Sequence, residues 1–599
     1  MRRVAALAAV LALAWSAAAE AAPTTPLGHS GRWVTDARGR VVILHGVNMV
    51  YKRPPYAPSA AGFDAPDAAF LARHGFNTVR LGLIYAGVEP APGSYDEAYL
   101  DQIAATERLL ADHGIFSQLD FHQDLYNERF QGEGWPDWAV QDDGLPASPQ
   151  LGFPSNYFAM PALIRAFDHF WANDPGPGGV GLQDRYAAAF RRVAERFRDR
   201  DHTMGYDLLN EPWPGIAWST CLSPLGCPLF DTGTLAPFHD RVLDRIREVE
   251  PQKLIWYEPN VIFNFGADSS HPATGDASTG FSFHVYCLAG SAGGFSLFGD
   301  LGCPEVDEIV FDNADKQAAQ TGDALLLSEF GATNDLALIR RNIEQAEQHM
   351  VSWQYWHYCE CDDPTTSGTG VQGVVLDANQ PPEGDNLRED KLDVLSRVYP
   401  QVVAGTPIAY DFEQQTRRFS LSLSTTGPAG SSFAPRAGGS VVPASTPTTE
   451  VFIPPRHFPG AYELDVEGGG IASPPGARVA RIAACPGRER VSVAVRPPGT
   501  GVVEGPDCVV AKAKRQRLRL KLRPRSATAG ERTCFRATVK TSAGAPLRGA
   551  RVRLGDARKR TGARGRARLC ESFDRAGRRR AAASKLGFKP VRRAIRVRG

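Results

Sequence analysis

Two glutamates, Glu211 in "YDLLNEPWPG" and Glu329 in "ALLLSEFG", each close an apolar run. A carboxylate at the end of a buried strand is costly to keep unless it has work to do. A lone glutamate of this kind reads as a cap or an ion-pair partner. The second, 118 residues further on, changes the reading. Two carboxyl groups held about 5–5.5 Å apart across one sugar make a retaining glycosidase. One protonates the leaving oxygen, the other attacks the anomeric carbon, and water then releases the glycosyl group with the first carboxylate acting as base.

Such a pair needs a frame that brings distant strand ends together. Eight apolar strand candidates occur between Gly31 and Val402. They begin at Val41 ("VVILHGVNM"), Asn77, Ile115, Met204, Lys253, Phe281, Ala324 and Ser352. Near-continuous apolar runs suit parallel strands buried on both faces, and most are separated by amphipathic helix candidates such as "YLDQIAATERLLADHG". The fold class expected is α/β, a (β/α)8 barrel. A doubly wound sheet is the rival, but no Gly-rich nucleotide loop follows the first strand. Polar residues gather at the C-terminal ends of these runs: Asn48, Arg80, Asp120, His122, Asn210, Glu211, His284, Tyr286, Glu329 and Trp356. In a barrel those ends share the catalytic rim.

"NTVRLG", "NEP", "HVY", "SEFG" and Trp356, in chain order, resemble glycoside hydrolase family 5 over residues 31–402. The resemblance implies a retaining (β/α)8 enzyme with no cofactor and no metal. It makes Glu211 the acid/base and Glu329 the nucleophile. It implies that Arg80 holds the nucleophile, that Asn210 contacts the sugar 2-hydroxyl, that His284 and Tyr286 tune the two carboxylates, and that Trp356 stacks under the sugar. "RWVTDARGRVVILHGVNMVYKRPPY", "LDFHQDLYNERF" and "GEGWPDWAV" are similar to the endoglycoceramidase branch, which cleaves whole glycans from ceramide. Asp120, His122 and Asp124 share one strand face by alternation. The branch implies that Lys52, Asp120 and His122 contact glucose hydroxyls. It also implies that Trp171, in a long loop after strand three, supplies an aromatic contact.

The N-terminal "MRRVAALAAVLALAWSAAAEAAP" reads as a secretory signal (residues 1–22) cleaved near residue 21, so a secreted protein is expected. Ten cysteines in an exported chain read as disulfides. Cys221–Cys227, Cys287–Cys303, Cys485–Cys508 and Cys534–Cys570 are the pairs expected. Cys359 and Cys361 look too close to join without strain. The barrel is assigned to residues 23–402, a β-sandwich to 403–510, and a small Ig-like or transthyretin-like β-domain to 511–599. The last block holds 30 Lys and Arg against 4 Asp and Glu, a net +26; the other 37 basic and 62 acidic residues leave −25. Disorder is the alternative for so basic a block, but its alternation and cysteine pair favour folding.

The function expected is hydrolysis of the bond between oligosaccharide and ceramide. A polysaccharide endoglycosidase of glucanase or mannanase type is the alternative, and a non-catalytic carbohydrate-binding barrel a third. Apolar residues after strands five and six (Ile262, Phe263, Phe265, Phe295, Leu297, Phe298 and Leu301) either form an aglycone slot or pack on the barrel. The partners expected are a glycosphingolipid or other β-glycoside, and an anionic membrane or cell-wall surface for the basic domain. A polymer site or a solubilising spacer are the other readings of that domain. No aromatic pattern points to nucleobases, so no nucleic acid is expected. A monomer is expected.

Overall fold

The computed structural model describes residues 23–286, 302–366, 370–436, 439–500, 505–511, 516–542, 544–585 and 588–599. The expected signal segment, Cys287, Phe295, Leu297, Phe298 and Leu301 lie outside the described residues.

Eight parallel strands close into a barrel. They are β1 (His45–Met49), β2 (Thr78–Ile84), β3 (Phe116–His122), β4 (Thr203–Asp207), β5 (Leu254–Tyr257), β6 (Thr279–Val285), β7 (Ala324–Phe330) and β8 (Ser352–Tyr355). Every residue of these strands is buried, which is why they read as unbroken apolar runs rather than alternating ones. The run at Val41 is two strands, not one. Val41–Val42 pairs antiparallel with Tyr399–Val403, and only His45–Met49 enters the barrel.

Helices α1 (Ala65–His74), α2 (Glu97–Asp112), α3 (Pro161–Trp171), α4 (Leu182–Phe197), α5 (Ala236–Arg247), α6 (Cys303–Thr321) and α7 (Leu336–Gln348) wrap the barrel. Their ends are written in the sequence. Asp64 and Asp67 form a reciprocal capping box on α1, and the Asp96 and Asp335 carboxylates cap α2 and α7. Each cap contributes about 1 kcal/mol. Between β5 and β6 the described residues hold only a short 3-10 turn, Val261–Phe265. Ile262 and Phe263 of that turn are buried, with Phe263 edge-on to Phe281 and Phe283, so they pack on the barrel.

The lower barrel is plugged by Leu44, Phe116, Met204, Trp256 and Leu326. Gly280 makes room for the Trp256 indole, because a Cβ there would stand 2.3 Å from the ring. Above this apolar floor the interior turns polar, with Arg80, Gln118, Asp207, Ser282 and Gln354 buried. The site therefore sits on a packed base.

A seven-stranded sheet joins the N-terminal strands to Tyr399–Val403, Thr449–Phe452, Val479–Ala484 and Gly469–Ile471, and a four-stranded sheet lies with it around one core. Arg397 reaches from the barrel side to Glu347 (2.7 Å) and to the Phe412 carbonyl (2.7 Å). Residues 22–510 form one compact unit, and 511–599 cluster separately. The latter are folded as two sheets, of four and five strands, around Phe535, Val539, Val552, Leu569 and Ala583.

Cys221–Cys227, Cys485–Cys508 and Cys534–Cys570 are disulfides. Cys359 and Cys361 are also joined to each other, contrary to the sequence expectation. Cys361 takes φ +42°, which turns the chain so that the Cα atoms stand 5.2 Å apart, an ordinary separation for a disulfide. The Cys287–Cys303 pairing lies outside the described residues.

Candidate active site

Past β4 the chain buries Leu208 and Leu209 and then turns at Glu211, whose φ is +44°. A non-glycine residue held there costs about 1–3 kcal/mol. The turn is over-determined by its neighbours. Glu258 accepts the Glu211 backbone N–H at 2.8 Å, and Gln123 Nε2 donates to the carbonyls of Asn210 (3.0 Å) and Glu211 (3.3 Å). This is why the strand stops on an Asn and a Glu: the turn aims the carboxylate inward at the rim.

Glu211 Oε1 receives Asn264 Nδ2 at 2.7 Å and His284 Nδ1 at 2.9 Å. Both donors converge on one oxygen, leaving Oε2 to face a ligand. Glu329, on β7, is held by Arg80 Nη1 through Oε1 and by the Tyr286 hydroxyl, which donates to Oε2 at 3.1 Å. His284 Nδ1 is 3.7 Å from Glu329 Oε2. One polar atom from each of Glu211, His284 and Glu329 lies within 4.8 Å of the other two. The two carboxylates thus face one small volume, as a pair acting on one sugar carbon must.

Beneath them, fully buried Arg80 meets four carboxylates. It reaches Asp207 at 3.1 Å, Asp120 at 3.0 Å and Glu258 at 2.7 Å, besides Glu329, and Nη2 also donates to Asn210 Oδ1 at 3.0 Å. Burial opposes the charge of Arg80, but the acids outweigh it and hold the guanidinium firmly protonated. Burial, with the charge of Glu258, pushes the Asp207 carboxyl well above the ordinary range. Burial likewise raises Glu211, and the Glu329 charge adds to it while His284 opposes. His284 would be neutralised by burial alone; the carboxylates of Glu258 and Glu329 reverse this and raise it well above the ordinary value. A carboxyl whose proton is held more tightly by burial, beside a second carboxylate, suits the division of labour that acid-assisted glycoside cleavage needs.

Lys52 lies beside this pair. Its ammonium is 2.6 Å from Asp124 Oδ2, donates to Thr365 Oγ1 at 2.7 Å, and sits 4.5 Å above the Trp356 ring. Trp356 stacks on His122 (centroids 5.1 Å) and donates its indole N–H to Gln372 at 3.0 Å. The expected role of Asp120 needs correction. It has no exposed surface and is spent on Arg80 and, at 2.8 Å, His122 Nδ1, so it braces the wall and does not meet a sugar. Asp124, two residues on, is the carboxylate beside Lys52.

Trp171 is the last residue of α3, not part of a loop. Its indole donates to the Trp213 carbonyl at 2.7 Å, buttressing the turn after Glu211. With Asp168, Pro214, Ile216, Phe230 and Thr234 it lines an open groove of about 290 Å³ on the outer side of that turn. Asn210, Tyr286, Trp356, Arg80 and His284 all stand where the two glutamates meet or directly against that place. Sequence reading missed Asn264 and Glu258. Glu258 carried a signal: "WYEPN" closes β5 as "LLNEP" closes the run from β4, an acid before proline at a strand end.

Among the described residues, three groups of side chains could gather metal-type donors: Glu211/His284/Glu329, His122/Asp124/Glu133 and His357/Cys359/Cys361. The cationic His284 and Arg80 fill the first with positive charge. The Lys52 ammonium reaches Asp124 and lies 3.8 Å from Glu133 in the second, and the two cysteines of the third are joined.

A carboxylate pair on the C-terminal rim of a (β/α)8 barrel, backed by a buried Arg–His–Glu lattice, defines a glycoside hydrolase. The chain belongs to glycoside hydrolase family 5. The family's catalytic model, described as "Cellulase (glycosyl hydrolase family 5)", matches residues 35–362, and the family 5 C-terminal domain model matches residues 397–495. Endoglycoceramidase I of Rhodococcus hoagii is 33% identical over 81% of this chain and 91% of its own length. An endoglycoceramidase of Cyanea nozakii is 30% identical over 66% and 80%. The solved endo-glycoceramidase II from a Rhodococcus species superposes with a TM-score of 0.62 at 29% identity, covering 78% of this chain and 99% of that one.

Proposed function

We propose that this chain is a secreted retaining endo-β-glycosidase that cleaves the bond between glycan and ceramide in glycosphingolipids. The observation that carries the reading is the meeting of Glu211 and Glu329 within 4.8 Å, with Glu211 raised by burial. Glu329 attacks the anomeric carbon as Glu211 gives its proton to the ceramide oxygen, breaking the glycosidic bond and forming a glycosyl ester. Glu211, now a carboxylate, takes a proton from water; the hydroxide adds to the anomeric carbon, and Glu329 leaves as the free carboxylate. Arg80 and Tyr286 hold Glu329 on its attack line. Asn264 and His284 hold Glu211, while Lys52, Asp124, His122 and Trp356 line the sugar side.

Substrate class rests on the relatives named above, on a solved relative in complex with ganglioside GM3 (28% identity, TM-score 0.61), and on a physical feature of this chain. The segment that follows Glu211 in the chain exposes three large apolar side chains, Ile216 (65%), Leu225 (73%) and Leu229 (90%). Exposed apolar surface of this kind suits a lipid aglycone. Export is supported by the charged-then-apolar leader and by the disulfides. Incubation with a fluorescent ganglioside, glucosylceramide and a soluble glucan tests this. The expected products are intact oligosaccharide and free ceramide. Turnover of the glucan alone would replace this reading with that of a polysaccharide endoglycosidase.

A further inference from the structure

Both family models end before residue 511, so the basic domain stands outside what they describe. Its five-stranded sheet runs Ser526–Thr528, Val591–Arg598, Gly577–Ser584, Arg551–Leu554, Ala557–Arg560. Alternation sends Val552, Leu554, Ala581, Ala583, Ile595 and Val597 into the core and most of the arginines outward. Register then sets arginine against arginine: Arg551 opposite Arg560, Arg553 opposite Arg558, and Arg578 opposite Arg596. Arg580, Arg592 and Arg598 stand exposed on the same outer face. Among the described residues, no strand position on this face carries an acid. Like charges directly opposite in a sheet are destabilising, so an unneutralised guanidinium field is a cost that an external anion would relieve.

We propose that this face docks the enzyme on an anionic lipid bilayer. Guanidinium groups bind phosphate oxygens through paired hydrogen bonds, and a sheet face presents them in one layer, as a bilayer presents its headgroups. The domain has three aromatic residues; Phe535 and Phe573 are in its core and Phe588 packs against it, leaving none to stack on bases. The rest of the chain carries −25 and is repelled by the same surface, so attachment falls to the +26 block. The choice of lipid over polymer rests on the glycosphingolipid reading above; the charge field does not.

The test uses the full chain and vesicles free of glycosphingolipid, so that binding is read apart from hydrolysis. Co-sedimentation is measured with phosphatidylcholine vesicles with and without phosphatidylglycerol, from about 0.05 to about 0.5 M NaCl. Binding is expected only with the anionic lipid and is lost at high salt. Each basic residue near an anionic leaflet is worth about fivefold in partitioning, so Arg553→Ser, Arg578→Ser, Arg580→Ser and Arg592→Ser together should weaken it roughly 600-fold. Hydrolysis of a soluble glycoside is expected to be unchanged. Equal binding to neutral vesicles, absence of binding to anionic ones, or undiminished binding of the fourfold variant overturns the proposal. So does complete stripping from vesicles by duplex DNA at equal phosphate, which would make this a polymer site.

Discussion

Glu258 accepts the backbone N–H of Glu211 at 2.8 Å through one oxygen and Arg80 Nη2 at 2.7 Å through the other. One carboxylate thus ties the strained turn of the acid/base candidate to the guanidinium that holds the nucleophile candidate. Its charge also sustains His284, with Nε2 at 3.3 Å. Glu258→Gln should lower kcat by about 10²-fold with little change in KM, because the two carboxylates are displaced slightly relative to the sugar. It should also move the alkaline limb of the pH–rate profile up, since His284 loses a partner that favours its charge and then lowers Glu211 less. Glu258→Ala should destabilise the fold by about 3–5 kcal/mol, by leaving Arg80 short of a partner. Steady-state kinetics across pH, with unfolding of both variants, separates the two effects.

The acid form of Glu211 is the active one for the first step. Burial lifts its folded pKa above the ordinary value of about 4.3, and the charge of Glu329 lifts it further. The rate of glycosylation should therefore hold through the ordinary carboxylate range and fall as pH rises through the raised pKa. Single-turnover rates against pH read this limb. In Glu211→Gln the limb should vanish and the rate on lipid substrates drop by about 10²–10⁴-fold, with a smaller drop on aryl glycosides whose leaving group needs no proton.

Asp120 and Asp124 should separate cleanly. Asp124→Asn removes the partner of Lys52 at the sugar side and should raise KM for cleaved glycosides. Asp120→Asn should leave KM nearly unchanged and instead lower stability and the charge on His122, because Asp120 is sealed behind the wall. Kinetics and thermal unfolding of the two variants side by side distinguish the roles.

Burial alone would lower His122, but Asp120 outweighs it and raises the folded value to about 9. Against an unfolded value of about 6.5, the imidazolium stabilises the fold fully below that pH. The contribution, about 3 kcal/mol, is lost as pH rises through about 9. Unfolding free energies from pH 6 to 10 should fall along this window in the native chain, and the fall should be shallower in His122→Asn.

The barrel was legible in the sequence because parallel strands buried on both faces leave long apolar runs with polar ends, and the ends name the rim. Glu211, Glu329, Arg80, His284, Tyr286 and Trp356 were readable for that reason. Register was not: nothing local says that Val41–Val42 leaves the barrel run for a strand at Tyr399–Val403. Alternation placed Asp120 and Asp124 on one face but could not say that depth along the strand makes one a brace and the other a wall of the cavity. Asn264 sits in an apolar stretch, "VIFNF", whose fold into a single turn depends on the barrel beneath it. For the apolar residues after strand five, the sequence left an aglycone slot and packing on the barrel both open. Ile262 and Phe263 pack inward, while Ile216, Leu225 and Leu229, after strand four, face solvent.

The most direct measurement is to trap the glycosyl-enzyme with a 2-deoxy-2-fluoro β-glycoside, whose slow release lets the covalent ester accumulate, and to map it by peptide mass spectrometry. One sugar is expected on the peptide holding Glu329, with product released in the β configuration. Label on any other residue, or product of inverted configuration with no label, would contradict the assignment of Glu329 and Glu211 as nucleophile and acid/base.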